Sequence, residues 1–360
     1  MNRKRVLHLV QSSHFSGAES VACKIIDSFK GDKGFEVAYC SRDGSINDVL
    51  LERNIKHLKI EKISINEIRK IIDTFQPDII HAHDGKASVL SALCSKKAKV
   101  ISHLHSNASW IKKISLNSFL YLIASFKFKK ILTVSESIEK EYVFSKFLRK
   151  KFMLIRNPVD IEDIIERAKI NINKNFKTDI MYIGRLSKEK NPILFINIIF
   201  EIKKHYPNIK ACMIGEGILW ESCMDEIKAL NLEENITMTG FLKNPYSLLK
   251  ETKVLCMTSN WEGYGLVAVE ALALGKPVIC KNVGGLPNLV NDSCGKCCDT
   301  KEQIIEELVN LLKDKNKYQE KSSSSRIQAN LLNNISSYKE LIKNIYYSVY
   351  GRENEDIFAE

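Results

Sequence analysis

Val254-Leu255-Cys256-Met257, then Thr258-Ser259-Asn260-Trp261-Glu262-Gly263-Tyr264-Gly265, then Leu266-Val267-Ala268-Val269-Glu270-Ala271-Leu272 reads as a buried strand, a glycine-bearing loop and an apolar helix start. Two glycines two apart let the backbone approach a ligand closely, and a helix start offers free N–H groups. Glu262 falls in the loop and Glu270 about one turn inside the helix. Both carboxylates can therefore accept hydrogen bonds from the hydroxyls of one bound molecule. The bland alternative is a loop acid beside a helix glutamate favoured by the helix dipole.

The same alternation runs outward in both directions. Strand signals lie at Val6–Val10, Phe35–Cys40, Asp78–His81, Lys99–His103, Ile131–Val134 and Phe152–Ile155, with helical spacing between them, as at Ala18–Phe29. After Asn157-Pro158 and a polar connection over Asp160–Phe176, the pattern restarts at Asp179–Ile183. It continues through Ala211–Ile214, Ile236–Thr239, Val254–Met257 and Pro277–Cys280. Alternating strands and helices predict α/β architecture with parallel sheets covered on both faces. The expected organisation is two doubly wound domains, 1–165 and 166–335, followed by a helix and tail at 336–360. In such folds ligands bind beyond the carboxyl ends of the strands, so a cleft between the domains is the expected site. Ser322–Ser325 reads as a short polar break, Ser336–Tyr350 as an apolar helix that must pack on something, and Arg352–Glu360 as a frayed end.

The composition fits a folded chain: 360 residues, 44% hydrophobic, 27% charged, with sixteen Gly and seven Pro. No stretch reaches the ~18 apolar residues of a membrane-spanning helix. The basic-then-apolar start Met1–Val10 is too short for a secretory signal and reads as a first strand, so the expected location is cytoplasmic. The ten cysteines are mostly scattered among apolar neighbours, as small buried hydrophobes are. Cys294-Gly295-Lys296-Cys297-Cys298 lacks the second ligand pair of a zinc site, which leaves ordinary thiols near a strand as the expectation.

Net charge is +11, and it is uneven: 28 basic against 18 acidic residues up to position 165, 26 against 25 beyond it. Such asymmetry speaks of a partner rather than of the fold. The basic residues gather in Ile111–Lys130 and Lys146–Lys151. The first stretch is apolar in its middle with lysines at both ends, suiting a helix on an anionic membrane surface or against an anionic acceptor; a core helix with solvated ends is the alternative. No nucleic-acid module is recognisable.

Three further loops follow strands. Tyr182-Ile183-Gly184-Arg185-Leu186-Ser187-Lys188-Glu189-Lys190-Asn191-Pro192 places Arg185 and Lys190 around one turn, a fork and a mobile ammonium that can neutralise a diphosphate. A solvated turn is the alternative. Phe15-Ser16-Gly17-Ala18-Glu19 sets a glycine at a helix start. Dinucleotide and P-loop fingerprints are absent, since Gly215-Glu216-Gly217 lacks a third glycine and no GxxxxGK[ST] occurs. His81-Ala82-His83 and His103-Leu104-His105 each end a strand, one histidine of each pair being expected to face the core and the other the ligand. A metal there would need a third ligand, which the spacing does not fix.

Taken together, the chain from about Lys4 to Pro287 resembles the retaining glycosyltransferases of family 4, of GT-B architecture, in which two Rossmann-like domains face each other and the final helix returns to the first. The resemblance rests on the E-x7-E pair Glu262 and Glu270 continuing into Ala271–Val278 and Gly284-Gly285. It also rests on Gly17-Ala18-Glu19, Thr133-Val134-Ser135-Glu136, Arg156-Asn157-Pro158-Val159-Asp160, and Gly184-Arg185-Leu186 with Lys190. It implies a nucleotide-sugar donor, a UDP-sugar first and a GDP-sugar as the alternative, with no other cofactor and no metal, as no DxD motif occurs. The positive charge of the N-terminal part makes a glycan or lipid-linked glycan at the cytoplasmic membrane the expected acceptor, with an anionic membrane surface as a further partner and no nucleic acid. Glu270 is implied to accept from the ribose hydroxyls and Glu262 from the donor sugar. Arg185 and Lys190 are implied to hold the diphosphate, Gly17 to lend backbone, Phe241 and Leu242 to line the base, and His105 (alternatively His103) to contact the sugar. Gly184, Gly263, Tyr264, Gly265 and Leu266 complete the implied donor site. The sequence departs from the family at Pro287-Asn288, where an acid usually follows the proline, and at Ser16, where many members have glycine. A non-catalytic nucleotide-sugar-binding subunit and an epimerase of the same architecture are the competing expectations.

Overall fold

The computed structural model describes residues 3–170 and 177–351; the frayed end foreseen over 352–360 and part of the foreseen connection at 171–176 lie outside them. The chain divides into two compact units, Met1–Pro158 with Asn334–Glu360, and Val159–Asn333.

The first unit carries a parallel sheet of β1 (Lys4–Leu9), β2 (Phe35–Arg42), β3 (His57–Ile60), β4 (Ile79–His83), β5 (Lys99–Leu104), β6 (Phe128–Thr133) and β7 (Phe152–Leu154), in the order β3-β2-β1-β4-β5-β6-β7. The second carries β8 (Thr178–Ile183), β9 (Ala211–Ile214), β10 (Ile236–Gly240), β11 (Thr252–Met257), β12 (Val278–Lys281) and β13 (Gly295–Cys298), in the order β10-β9-β8-β11-β12-β13. The direction of winding reverses between β1 and β4 and between β8 and β11, which makes the carboxyl ends of those strands the places where loops diverge and a ligand can enter.

Strands in the middle of such sheets are buried on both faces and so read as near-continuous apolar runs. In the second unit Ile180, Val254, Phe195, Ile199 and Ile202 form one fully buried cluster, the last three from the helix Pro192–Lys203. In the first, Leu7, Leu9, Ile80 and Ala82 pack on one face of the sheet. The helix Ile335–Tyr350 belongs to this unit and buries Tyr338, Ile342, Ile345, Tyr346 and Val349, so the expected apolar helix does pack on the protein.

Three readings need correction. The stretch Ile111–Lys130 is not one helix: a short 3₁₀ turn ends at Lys112, the helix runs only Leu116–Ser125, and Phe128–Lys130 already belongs to β6. Ser115 sets the start by a reciprocal cap with Ser118, and Lys151 Nζ closes the end by donating to the carbonyls of Ser125 (2.7 Å) and Phe128 (2.9 Å). Ser322–Ser325 is no break but the middle of the helix Lys315–Leu332. There Ser325 Oγ bonds back to the Lys321 carbonyl and Ser322 Oγ to that of Gly275, so tertiary contacts satisfy hydroxyls that would otherwise favour a turn. Finally, His81 and His83 do not divide between core and ligand. Residues two apart on a strand share a face, and the two rings stack at 4.7 Å with 9° between their planes.

Candidate functional site

In the second unit the loops after β8 and β11 are built into one another. Asn260 N–H donates to the Glu189 carbonyl (2.7 Å) and its side chain to that of Lys188 (2.8 Å), while Thr258 Oγ1 donates to the Asn191 carbonyl (2.9 Å). Lys190 Nζ lies 2.6 Å from Glu262 Oε2, which also accepts from Ser259 Oγ at 3.1 Å. The Glu262 side chain is 11% and that of Lys190 27% exposed, so the pair is partly desolvated and its attraction is stronger than at an open surface. Lys190 was read as a diphosphate ligand and Glu262 as a sugar ligand; the structure joins the two to each other.

Glycines make this closeness feasible. Gly284 has φ +58°, and a Cβ there would stand 1.7 Å from the Glu262 carbonyl oxygen; one on Gly285 would stand 2.4 Å from that of Gly263. The Gly284-Gly285 pair is therefore the floor on which the Glu262 loop rests. Gly265 (φ +98°) turns that loop into the helix Leu266–Ala273. Inside this helix Glu270 Oε1 accepts from the Tyr246 hydroxyl (3.0 Å), and the Arg167 guanidinium lies 4.7 Å above the Tyr246 ring. Burial, with the Glu270 charge beside it, pushes the Tyr246 phenol above its ordinary range, so it remains a donor to the carboxylate.

Arg185 is exposed. Burial works against ionisation of neighbouring Glu189, but a hydrogen bond from Ser187 and the charges of Arg185 and Lys190 outweigh it and hold that carboxyl below its usual range. The turn is braced by Tyr182, whose hydroxyl donates to the Arg185 carbonyl at 3.0 Å, and by the segment after β9, where Leu186 N–H donates to the Glu216 carbonyl at 2.8 Å. Gly215 and Gly217 fit there because a Cβ would meet the Gly184 and Leu186 carbonyl oxygens at 2.0 and 2.4 Å. Phe241 is half-exposed after β10, its N–H donating to Glu216 Oε1 (3.2 Å), with Leu242 beside it. Gly184, Gly263 and Tyr264 lie within the same loops, and Leu266 opens the helix that follows. Tyr246 and Glu216 escaped the sequence reading, and Ser259, though within the stretch that decides the fold, was given no role. The Gly215–Gly217 pair was the signal for Glu216; nothing in the spacing marked Tyr246.

Gly17 and His105 belong to the first unit. Gly17 is exposed at the start of the helix Gly17–Ser28, with open space where a Cβ would point. Ser16 Oγ instead donates to Glu19 Oε2 at 2.5 Å. His105 follows β5, and its backbone N–H donates to Asp84 Oδ1 (3.0 Å). Its Nε2 lies 2.8 Å from His83 Nδ1. Among the described residues the side chains close enough to share a metal are all histidines, His8/His81/His83 and His83/His103/His105. The Cys294–Cys298 thiols do not converge: Cys297 Sγ faces Cys280 Sγ across β12 and β13 at 3.6 Å, and Cys294 Sγ bonds the Asn291 carbonyl.

Comparison with known proteins agrees with this arrangement. Residues 162–328 match the family model of glycosyl transferases group 1, and residues 16–163 that of glycosyltransferase family 4. The chain belongs to the family 4 glycosyltransferases. An O-antigen biosynthesis glycosyltransferase, WclY of Escherichia coli, is 26% identical over 306 residues, 81% of this chain and 83% of that one. The N-acetylgalactosamine-N,N'-diacetylbacillosaminyl-diphospho-undecaprenol 4-alpha-N-acetylgalactosaminyltransferase of Campylobacter jejuni is 34% identical over 131 residues, only 36% of this chain and 35% of its own length. The crystal structure of Anabaena HepE with UDP-glucose superposes with a TM-score of 0.82 at 20% identity, covering 96% of this chain and 99% of that one. The fold is thus of the GT-B class, a mixed α/β architecture of two parallel-sheet domains.

Proposed function

We propose that this family 4 glycosyltransferase moves a hexosyl group with retention, without a metal, from a UDP-sugar to a lipid-linked glycan in cell-surface polysaccharide synthesis. The observation that carries the reading is the Lys190–Glu262 pair at 2.6 Å, lodged where the sheet reverses its winding and backed by Glu270 on the following helix. The relatives active in O-antigen synthesis and on an undecaprenol-linked acceptor, and the UDP-glucose held by the structural neighbour, support the choice of donor and acceptor class.

In this reading the anomeric C–O bond to the diphosphate breaks as the acceptor oxygen attacks the same face, and the acceptor proton passes to the departing phosphate oxygen. Positive charge grows on the sugar ring and negative charge on the diphosphate. Arg185 and Lys190 stabilise the latter; Lys190 exchanges its bond to Glu262 for one to phosphate, and the freed carboxylate turns to the sugar hydroxyls. Glu270 receives the ribose hydroxyls, and Phe241 and Leu242 line the base. Loss of one such stabilising group typically costs about 10²–10³ in rate. Glu262→Ala and Arg185→Ala are each expected to abolish transfer while circular dichroism and melting stay native; turnover like the wild type in both would refute the site. A non-catalytic donor-binding subunit would show binding without donor hydrolysis, and an epimerase would convert donor without acceptor.

The acceptor side draws support from the helix Leu116–Ser125, which is turned inside out. Ser118, Tyr121, Ala124 and Ser125 face the protein, while Leu116, Phe119, Leu120 and Ile123 face outward, with Ile114, Phe126 and Phe147 exposed beside them. Lys112, Lys113, Lys127, Lys129, Lys146, Arg149 and Lys150 are exposed in the neighbouring sequence, Lys112 in an ion pair with Glu141 at 3.1 Å. An outward apolar stripe in a basic stretch of chain is suited to dip into an anionic lipid surface, each nearby cation adding about 1 kcal/mol.

A further inference from the structure

Five of the eight histidines, four on adjoining strands of the first unit and His105 just beyond the end of β5, share hydrogen bonds. His8 Nδ1 is 2.9 Å from His83 Nε2, and His83 Nδ1 is 2.8 Å from His105 Nε2. His81 Nε2 is 3.1 Å from His103 Nδ1. The Tyr346 hydroxyl joins the two arms, at 3.1 Å from His8 Nε2 and 2.8 Å from His81 Nδ1. The result is one chain, His105–His83–His8–Tyr346–His81–His103, whose end atoms, His105 Nδ1 and His103 Nε2, are buried without a partner.

Burial pushes His8 and His105 down to about 3 and holds His81, His83 and His103 well below the ordinary imidazole range, so all five are neutral at pH 7. A neutral imidazole carries one N–H and one bare nitrogen, and the phenol carries one proton. Each of the five contacts needs one proton and only one. If Tyr346 donates to His8, then His8, His83 and His105 must each donate onward from Nδ1, while His81 and His103 must donate from Nδ1 back towards the phenol. If Tyr346 donates to His81, all five carry the proton on Nε2 instead. Any other arrangement leaves a buried contact with two protons or none, or strands the phenol proton, at the cost of an unsatisfied buried group.

The two orders differ at the ends. Protons on Nδ1 leave a bare nitrogen on His103, whose ring is fully buried, and an N–H on His105, whose Nδ1 is also covered but whose ring stands at the partly exposed end of the chain. Protons on Nε2 do the reverse, and an orphaned N–H deep in a protein is the rarer and costlier of the two. We propose that this chain is proton-ordered with all five imidazoles in the Nδ1–H form, so that His105 presents a fixed N–H donor at the carboxyl end of β5. Tyr346 and the other four histidines are positioning residues for it. The ligand class is one offering an oxygen acceptor, a sugar hydroxyl or phosphate oxygen; only that last identification rests on the transferase reading. A tetrahedral zinc ion would hold two imidazole nitrogens about 3.3 Å apart, whereas the bonded pairs stand at 2.8–3.1 Å, the spacing of hydrogen bonds.

The test is the side-chain ¹⁵N–¹H correlation spectrum of the full chain labelled in histidine, at pH 7 and without ligand, resonances being assigned by single histidine variants. Five neutral rings all protonated on Nδ1 are expected, with His14, His57 and His205 outside the pattern. In Tyr346→Phe the arms become independent: His81 and His103 are expected to populate both tautomers while His105 keeps its Nδ1 proton. Mixed tautomers or a charged ring among the five in the wild type would overturn the proposal. So would five unchanged rings in Tyr346→Phe, or about one equivalent of transition metal that is lost in His83→Asn. The readout needs no donor, so its failure leaves the transferase reading standing, and an inactive transferase leaves the tautomers unchanged.

Discussion

Lys190 and Glu262 are 72 positions apart in sequence and 2.6 Å apart in space, and the chemistry proposed here is an exchange of partners between them. Removing the ammonium in Lys190→Ala is expected to lower turnover about 10²–10³-fold, because the growing charge on the leaving group loses a cation. Steady-state kinetics check this, and a loss below threefold would speak against the role. Gly284→Ala acts on the same loop by sterics: at φ +58° and 1.7 Å from the Glu262 carbonyl oxygen, a methyl group cannot be accommodated without moving the loop. The strain alone is worth about 1–3 kcal/mol, and urea denaturation should show at least that loss together with weaker donor binding. At this scale the sequence exposed the acids, the cations and the glycines as a motif. It did not expose their pairing, since the partner of a charged side chain is fixed by which loops the sheet brings together. Tyr246, the donor to Glu270, was invisible for the same reason.

Among the elements, the apolar strands announced themselves, the edge strands β7 and β10 included, but the edge strands β3 and β13 did not. β3, His-Leu-Lys-Ile, and β13, Gly-Lys-Cys-Cys, stand at the ends of their sheets, where one side has no neighbour and the apolar run that marks a central strand is not required. The helix Leu116–Ser125 misled differently. Its sequence gave an apolar centre between lysines, but the lysines that seemed to end it belong to a turn and to β6. Its outward apolar stripe gives a prediction of its own. Phe119→Asp with Ile123→Asp replaces two exposed side chains, so folding should be unaffected, while sedimentation with vesicles containing anionic lipid should fall at least tenfold. Equal sedimentation of variant and wild type, or none by either, would remove the membrane-facing role.

For the whole molecule, the buried histidines tie stability to pH. Their pKa values are lowered on folding, to about 3 for His8 and His105, while the unfolded chain titrates near 6.5. A base whose pKa is lowered by folding binds protons more readily when unfolded. Its contribution is complete above about pH 6.5 and is lost as the pH falls towards the folded value. Each such histidine removes about 1.4 kcal/mol per pH unit once the pH is well below 6.5. Urea midpoints should therefore drop steeply between pH 7 and pH 5, and a flat profile would contradict neutral burial. The most direct test of the central claim, that the loops after β8 and β11 hold a sugar nucleotide, is the melting temperature of the protein across a panel of UDP- and GDP-sugars. At a hundredfold excess over Kd a bound donor adds about 2.7 kcal/mol. One member of the panel should raise the wild-type midpoint by several degrees and leave Lys190→Ala and Glu270→Gln unmoved or nearly so. No rise with any sugar nucleotide, or an equal rise in both variants, would contradict the account.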